Sequence, residues 1–215
     1  LIGAFLDTLF PPRCVGCGAS GAVLCAKCIN CIPPPIFSCI VCGGPAAAGA
    51  CPACVRRENI TLKIYWTTVY RNHTVESALR ALKYKFVRDI ASSLGDIMWQ
   101  RMSAGLKTME RESTVIVPIP ISNKRERERG FNQAALLAER LSEQSGVPYE
   151  RAALVKKIHT PSQVASAGPD ARMKNLRGSF AVPHPEAVAG KTVVLVDDIV
   201  TTGATLIEAA RTLKA

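Results

Sequence analysis

Two adjacent carboxylates, Asp197 and Asp198, stand between four apolar residues (Val193 to Val196) and a hydroxyl- and glycine-rich turn, Thr201, Thr202, Gly203, Ala204 and Thr205. The apolar run reads as a buried strand, and the spacing of Leu206, Ile207, Ala210 and Leu213 reads as a helix. A strand, a small-residue turn and a helix N-terminus together make a phosphate cradle, because unpaired backbone amides and the helix dipole face the anion. Carboxylates repel phosphate, so an acidic pair just ahead of such a cradle suits a neutral hydrogen-bond donor beside the anion. A ribose diol with a 5′-phosphate has that shape. The chain has no GxxxxGK(S/T) for a nucleoside-triphosphate loop and no GxGxxG opening a dinucleotide site.

A second chemistry sits at the other end of the chain. All nine cysteines fall between Cys14 and Cys54, and eight form four CxxC pairs: Cys14/Cys17, Cys25/Cys28, Cys39/Cys42 and Cys51/Cys54. Two thiolates at that spacing grip one metal from a tight knuckle, and two knuckles complete a tetrahedron. Four pairs therefore predict two zinc sites of four cysteines each, paired in sequence order, with an interleaved arrangement as the alternative. Cys31 is left over, and Cys28/Cys31 is a further alternative pair. Residues 11–58 hold few large apolar side chains and many Pro and Gly, so structural zinc is expected to hold them folded. A disulfide-exchange role fits less well, since one reactive pair would suffice.

A third stretch, residues 118–133, places Lys124, Arg125, Arg127 and Arg129 between a strand and a helix. It reads either as a solvated charged turn, balanced by Glu126 and Glu128, or as a grip for a multiply charged group such as pyrophosphate. A later polar segment with Lys156, Lys157, Thr160 and Gln163, then Arg172, Asn175 and Arg177, reads as a loop able to cover a reactive sugar.

The elements that must position these groups follow from patterning. A composition change near residue 58 separates residues 1–58 from residues 59–215. Ile64 to Tyr70 is β-branched and aromatic and predicts a strand. Asn72 or Thr74 would cap a helix through Val75, Leu79, Leu82 and Phe86, and Leu94, Ile97 and Met98 continue the pattern in a second helix. Val115 to Val117 predicts a buried strand, Phe131 to Leu141 a helix, and Ala153 to Lys156 and Phe180 to Val182 short strands. Strands alternating with helices predict an α/β fold with a parallel sheet, ligands lying beyond the strand C-termini.

The stretch from Val193 to Thr205 resembles, position by position, the phosphoribosyl pyrophosphate signature of the type I phosphoribosyltransferases. Other motifs narrow the resemblance to the ComF family, phosphoribosyltransferase-like proteins associated with DNA uptake. These are Arg127 to Gln133 (RxRGFNQ), the PxxCxxC segment Pro11 to Cys17, and LKYK at Leu82 to Lys85. The resemblance implies a type I phosphoribosyltransferase-like sheet flanked by helices, with a small N-terminal double zinc ribbon. It implies binding of 5-phosphoribosyl-1-pyrophosphate with Mg2+ and transfer of the phosphoribosyl group with release of pyrophosphate. Asp197 and Asp198 would act on the diol and the developing positive charge. Thr201, Thr202, Gly203, Ala204 and Thr205 would hold the 5′-phosphate. Mg2+ with Lys124, Arg125 or Arg129 would hold the pyrophosphate, under a lid carrying Lys156, Lys157 and Gln163. The alternative is a non-catalytic zinc-ribbon protein that binds single-stranded DNA, the sugar-phosphate pocket being vestigial or regulatory. A DNA-uptake helicase is a further implied partner. Proteins of this kind continue past the signature helix into at least one more strand, so a strand beyond Ala215 is expected.

Composition bounds these readings. The 215 residues, 48% hydrophobic and 20% charged, describe a folded protein with room for one medium domain and a small one. The apolar start, Leu1 to Phe10, carries Asp7 and lacks a basic leader, which predicts a short amphipathic helix and a cytoplasmic protein. The formal net charge is +10, and two filled zinc sites of this kind would lower it to about +6. A basic surface suits nucleic acid or a pyrophosphate-bearing ligand alike.

Overall fold

The computed structural model describes residues 11–35, 37–46, 49–58, 63–84, 89–157 and 176–214. Its first elements are short helices inside the cysteine-rich region, α1 (Ala26–Asn30) and α2 (Pro52–Glu58). They are followed by α3 (His73–Tyr84) and α4 (Asp89–Leu106). Asn72 caps α3, its Oδ1 accepting from the N–H groups of Thr74 (3.1 Å) and Val75 (3.2 Å). On α4, Ile90, Leu94, Met98 and Met102 recur one turn apart and are all buried, with Ile97 beside them, the stripe expected of a core-facing helix.

Strand β1 (Thr114–Pro118) is buried on both faces and pairs in parallel with β4 (Thr192–Val196), from Thr114 opposite Thr192 to Pro118 opposite Val196. Its other edge meets the segment at Tyr149: Ile116 donates to the carbonyl of Pro148 (2.8 Å) and accepts from the N–H of Glu150 (2.9 Å). Between β1 and β4 come α5 (Asn123–Arg129), α6 (Gln133–Ser145) and an antiparallel pair, β2 (Val155–Lys156) with β3 (Phe180–Ala181). A last helix, α7 (Ala204–Lys214), packs on β3. The fold is thus a parallel sheet flanked by helices, as its patterning predicts, with β2 and β3 forming a separate antiparallel pair.

Side-chain alternation along the strands divides the interior in two. Ile116, Val194 and Val196 face α3, α4 and α6, a core that also takes in Cys14, Leu24 and Ile32 of the first cysteine knuckles. Val115 and Val117 face the opposite side with Leu154, Phe180, Leu206 and Ala209, a core completed by Ile40 of the second set. The cysteine-rich region therefore contributes side chains to both faces of the sheet. The predicted N-terminal helix over the first ten residues lies outside the described residues.

One element departs from expectation. Among the described residues Ile64 to Val69 form no strand, and Tyr70 enters a turn. The segment's aromatic and β-branched side chains are used for packing instead: Tyr65 joins the first core, and Ile64 and Trp66 join the second. Tyr65 lies on α4 where Gly105 leaves room; a Cβ there would collide with its ring. The segment is held through its backbone by Arg101, whose guanidinium donates to the carbonyls of Pro33 (2.5 Å), Thr67 (2.7 Å) and Ile32 (2.8 Å). One cation thus ties the chain after the first knuckles to the 63–70 segment. Replacing Arg101 by Met is expected to destabilise the protein by about 3 kcal/mol, because the carbonyls of Ile32 and Thr67 lose a charged donor and that of Pro33 keeps only the Thr68 hydroxyl. Urea unfolding of the two proteins checks this, and Lys at the position should recover only part of the loss, lacking the planar fork.

Candidate functional site

The geometry of the site begins where β4 ends. The carbonyl of Val196 accepts from the N–H of Ile119 (2.8 Å), so the loop leaving β1 is tied to the last residue of β4. Asp197 then folds back on its own backbone, Oδ1 accepting from the N–H of Asp198 (2.8 Å). Beyond Ile199 and Val200 the chain bends through Thr201 and Thr202 to Gly203, whose φ of 69° is left-handed, and α7 starts at Ala204. Thr201 is exposed, Thr202 and Thr205 are half-buried, and Gly203 and Ala204 are buried. Strand, bent loop and helix N-terminus thus follow one another as a phosphate cradle requires.

Asp197 retains some surface but sits against the floor of the sheet. Desolvation pushes its carboxyl well above the ordinary value, the charge of Asp198 adds to the rise, and the N–H of Asp198 and the Lys83 ammonium oppose it. Asp198 is paired with Lys83 of α3, Nζ to Oδ2 at 2.5 Å. Lys156 of β2 is pushed below its usual value by desolvation and then by the nearby Arg125 charge, while Asp197 acts the other way. Lys156 therefore lies within electrostatic reach of both Arg125 and Asp197. Both carboxylates also line a cleft of about 1010 Å³ that follows β4 and includes Trp66, Met102, Phe180 and Leu206. Its lining takes in Val200 and Leu206 on either side of the Thr201 to Thr205 turn.

The basic stretch takes shape as α5 and the turn into α6. Ser122 caps α5 and accepts from the N–H of Arg125 (3.4 Å); Gly130 closes it in the left-handed region. Lys124 and Arg127 are exposed, Arg125 is half-buried, and Arg129 donates to Oε1 of Gln133 (3.0 Å). Asn132 caps α6 and also donates to the carbonyl of Ile119 (2.9 Å). The asparagine of the Arg-Gly-Phe-Asn-Gln run therefore pins the β1 exit loop. Of the residues expected to form a lid, Lys156 is within electrostatic reach of Asp197 and Lys157 is exposed beside the cleft, whereas Thr160, Gln163, Arg172 and Asn175 lie outside the described residues. The far end of that segment is anchored by a residue the sequence did not single out. Glu208 of α7 is buried, accepts from the N–H of Gly178 (2.7 Å) and pairs with Arg211 (3.5 Å).

The cysteines gather in two sets, Cys14, Cys17, Cys25, Cys28 and Cys39, Cys42, Cys51, Cys54, with all sulfurs of a set within 4.8 Å of one another. Cys31 is exposed and belongs to neither. The sulfurs of Cys17 and Cys25 are 3.6 Å apart and those of Cys42 and Cys51 are 3.8 Å apart. A tetrahedral zinc with Zn–S bonds near 2.3 Å sets its sulfurs about 3.8 Å apart, so the donor sets fit that ion. One thiol of each set is prepared for it. Burial opposes ionisation of Cys14, yet N–H groups of Cys25, Cys17 and Gly16 outweigh it and bring the thiol down to about 6. Cys39 is brought to about 6 against the same opposition, by N–H groups of Cys42, Cys51 and Val41. Without metal, Cys28 and Cys54 are each pushed up to about 12 by desolvation and by their three neighbouring sulfurs.

The comparisons with known proteins agree with this architecture. Residues 94–215 match the family model described as Phosphoribosyl transferase domain, the class that the parallel sheet and its strand-end loop define. The chain is 30% identical over 199 residues to DNA utilization protein YhgH of Salmonella typhimurium, covering 88% of this chain and 83% of that protein. It is 30% identical over 181 residues to competence protein ComFC of Bacillus subtilis, covering 81% and 70%. It is also 34% identical over 100 residues to competence protein F of Haemophilus influenzae, covering 46% and 43%. The chain belongs to the ComF family of phosphoribosyltransferase-like proteins. Among its described residues no helix is long and apolar enough to cross a membrane.

Proposed function

We propose that the chain binds 5-phosphoribosyl-1-pyrophosphate with Mg2+ and transfers the phosphoribosyl group, releasing pyrophosphate, in the handling of DNA. The observation that supports this most is the meeting of an acidic pair with cations at one sheet end. Asp197 and Asp198 follow β4, with Lys156 of β2 within electrostatic reach of Asp197 and Arg125 of α5 within reach of Lys156. Carboxylates there accept from ribose hydroxyls, the amides of residues 201–205 hold the 5′-phosphate, and Arg125 with Lys124 offsets the pyrophosphate charge. Mg2+ would supply further charge neutralisation to the leaving group through oxygen ligands. Partly negative surroundings at Asp197 and Asp198 favour the positive charge that grows on the sugar as pyrophosphate departs. Two structural zinc ions, one in each cysteine set, complete the protein. The relatives' names, DNA utilization and competence, support a role in DNA uptake.

Calorimetric titration with phosphoribosyl pyrophosphate and Mg2+ tests the reading. The parent protein should bind, and the double change Asp197→Asn/Asp198→Asn should weaken binding by about 100-fold, roughly 2.7 kcal/mol. No binding by the parent protein would overturn this reading. It would favour the second one, in which exposed Lys124 and Arg127 belong to a single-stranded DNA surface and the pocket is vestigial.

A further inference from the structure

The Leu-Lys-Tyr-Lys stretch at residues 82–85 has no role in the function proposed above, yet one of its residues touches the site. Lys83 lies in the last turn of α3, where the helix dipole favours a cation. The buried face of α3, Val75, Leu79 and Leu82, joins the core that includes Val194 and Val196. That packing carries the end of the helix to the end of β4, where the ammonium meets Asp198 Oδ2 at 2.5 Å. The two side chains are only 18% and 15% exposed. A pair so desolvated contributes little net stability, because an apolar pair would join the helix to the sheet as well. Its position explains it better than its energy does: it lies at the acidic pair itself, where β4 ends.

We propose that Lys83 is a positioning residue of the sugar-phosphate site, pinning one oxygen of Asp198 so that the remaining lone pairs of the carboxylate face ribose hydroxyls. A carboxylate offers about four acceptor sites, so one ammonium leaves room for a diol. The proposal rests on the phosphoribosyl-binding reading.

The test uses ribose 5-phosphate, which has the diol, and inorganic phosphate, which has only the anion, titrated calorimetrically into the full chain. Lys83→Met is expected to weaken ribose 5-phosphate binding at least tenfold and to leave phosphate binding within about threefold. Lys83→Arg should restore most of the sugar-phosphate affinity, since it returns a cation to Asp198. Should the Met variant lose its native circular dichroism, Lys83→Gln, similar in length and uncharged, takes its place with the same expectation. Equal ribose 5-phosphate binding by parent and variant overturns the role of Lys83 alone. Parallel loss of both ligands in the variant makes the ion pair structural and overturns it too. A parent protein that binds neither ligand overturns the phosphoribosyl reading and this proposal with it.

Discussion

Replacing Cys42 and Cys51 together by Ser is expected to unfold the second knuckle pair and to loosen the loop over residues 199–207, about 150 residues further along the chain. Both sulfurs reach the surface, so Ser there strands no buried polar group and the effect reports lost metal. Residues 37–58 bury Cys39, Ile40 and Cys54 as their apolar contribution, far too little for a core. Structural zinc supplies on the order of 10–16 kcal/mol in comparable small domains, which makes it the dominant support of this segment. The consequence travels because Ile40 joins Val115, Val117, Leu206 and Ala209 in one core, and Val41 packs on Ile207 and Ala210. Losing the knuckle uncovers the start of α7 and the turn before it. Amide hydrogen exchange should rise in residues 199–207 and phosphoribosyl pyrophosphate affinity should fall. Ser at Cys17 and Cys25 should instead raise exchange in α3 and α4, since Cys14 and Cys28 sit in the other core. Unchanged exchange in residues 199–207 after loss of the second metal would break the proposed link.

The second large effect is at the contact itself. Gly203→Ala is expected to destabilise the protein by about 4 kcal/mol, from two independent causes. Its φ of 69° lies in the left-handed region, and a Cβ built there would collide with Cγ1 and Cδ1 of Ile40. Ile40 lies between Cys39 and Cys42 of the second cysteine set, which limits how far it can yield. Urea unfolding separates the causes. Gly130 has a φ of 74° with nothing within 4 Å of its Cβ position, so Gly130→Ala should cost only the backbone share, about 1 kcal/mol. Adding Ile40→Ala to Gly203→Ala should recover part of the steric share, and a double-mutant cycle would measure the coupling. Additivity within about 0.5 kcal/mol would mean that Ile40 and Gly203 do not press on each other.

The parts of the site that the sequence made legible are those built from neighbours along the chain. Val193 to Thr205 shows a strand, an acidic pair and a glycine turn in a row, and the structure has them in that order with α7 following. Two of the four knuckles are likewise local: just beyond Cys14/Cys17 and Cys39/Cys42 a glycine of positive φ, Gly18 or Gly43, donates to the carbonyl of Cys14 or Cys39. Asn72 announces its helix because a cap bonds amides two or three residues away.

Tertiary structure decided everything that required two distant segments to meet. Apolar and aromatic content at Ile64 to Tyr70 reads as a strand, since sequence cannot distinguish side chains wanted for a ladder from side chains wanted for two cores. The knuckles share those cores because they cannot bury enough apolar surface alone, and the sheet has two faces to cover. Lys83 reaches Asp198, Glu208 reaches Gly178, and Ile40 reaches Gly203 across the fold. No periodicity or spacing encodes such pairs. Local sequence sets the backbone conformation and chemistry of each piece, while packing to exclude water chooses which pieces touch.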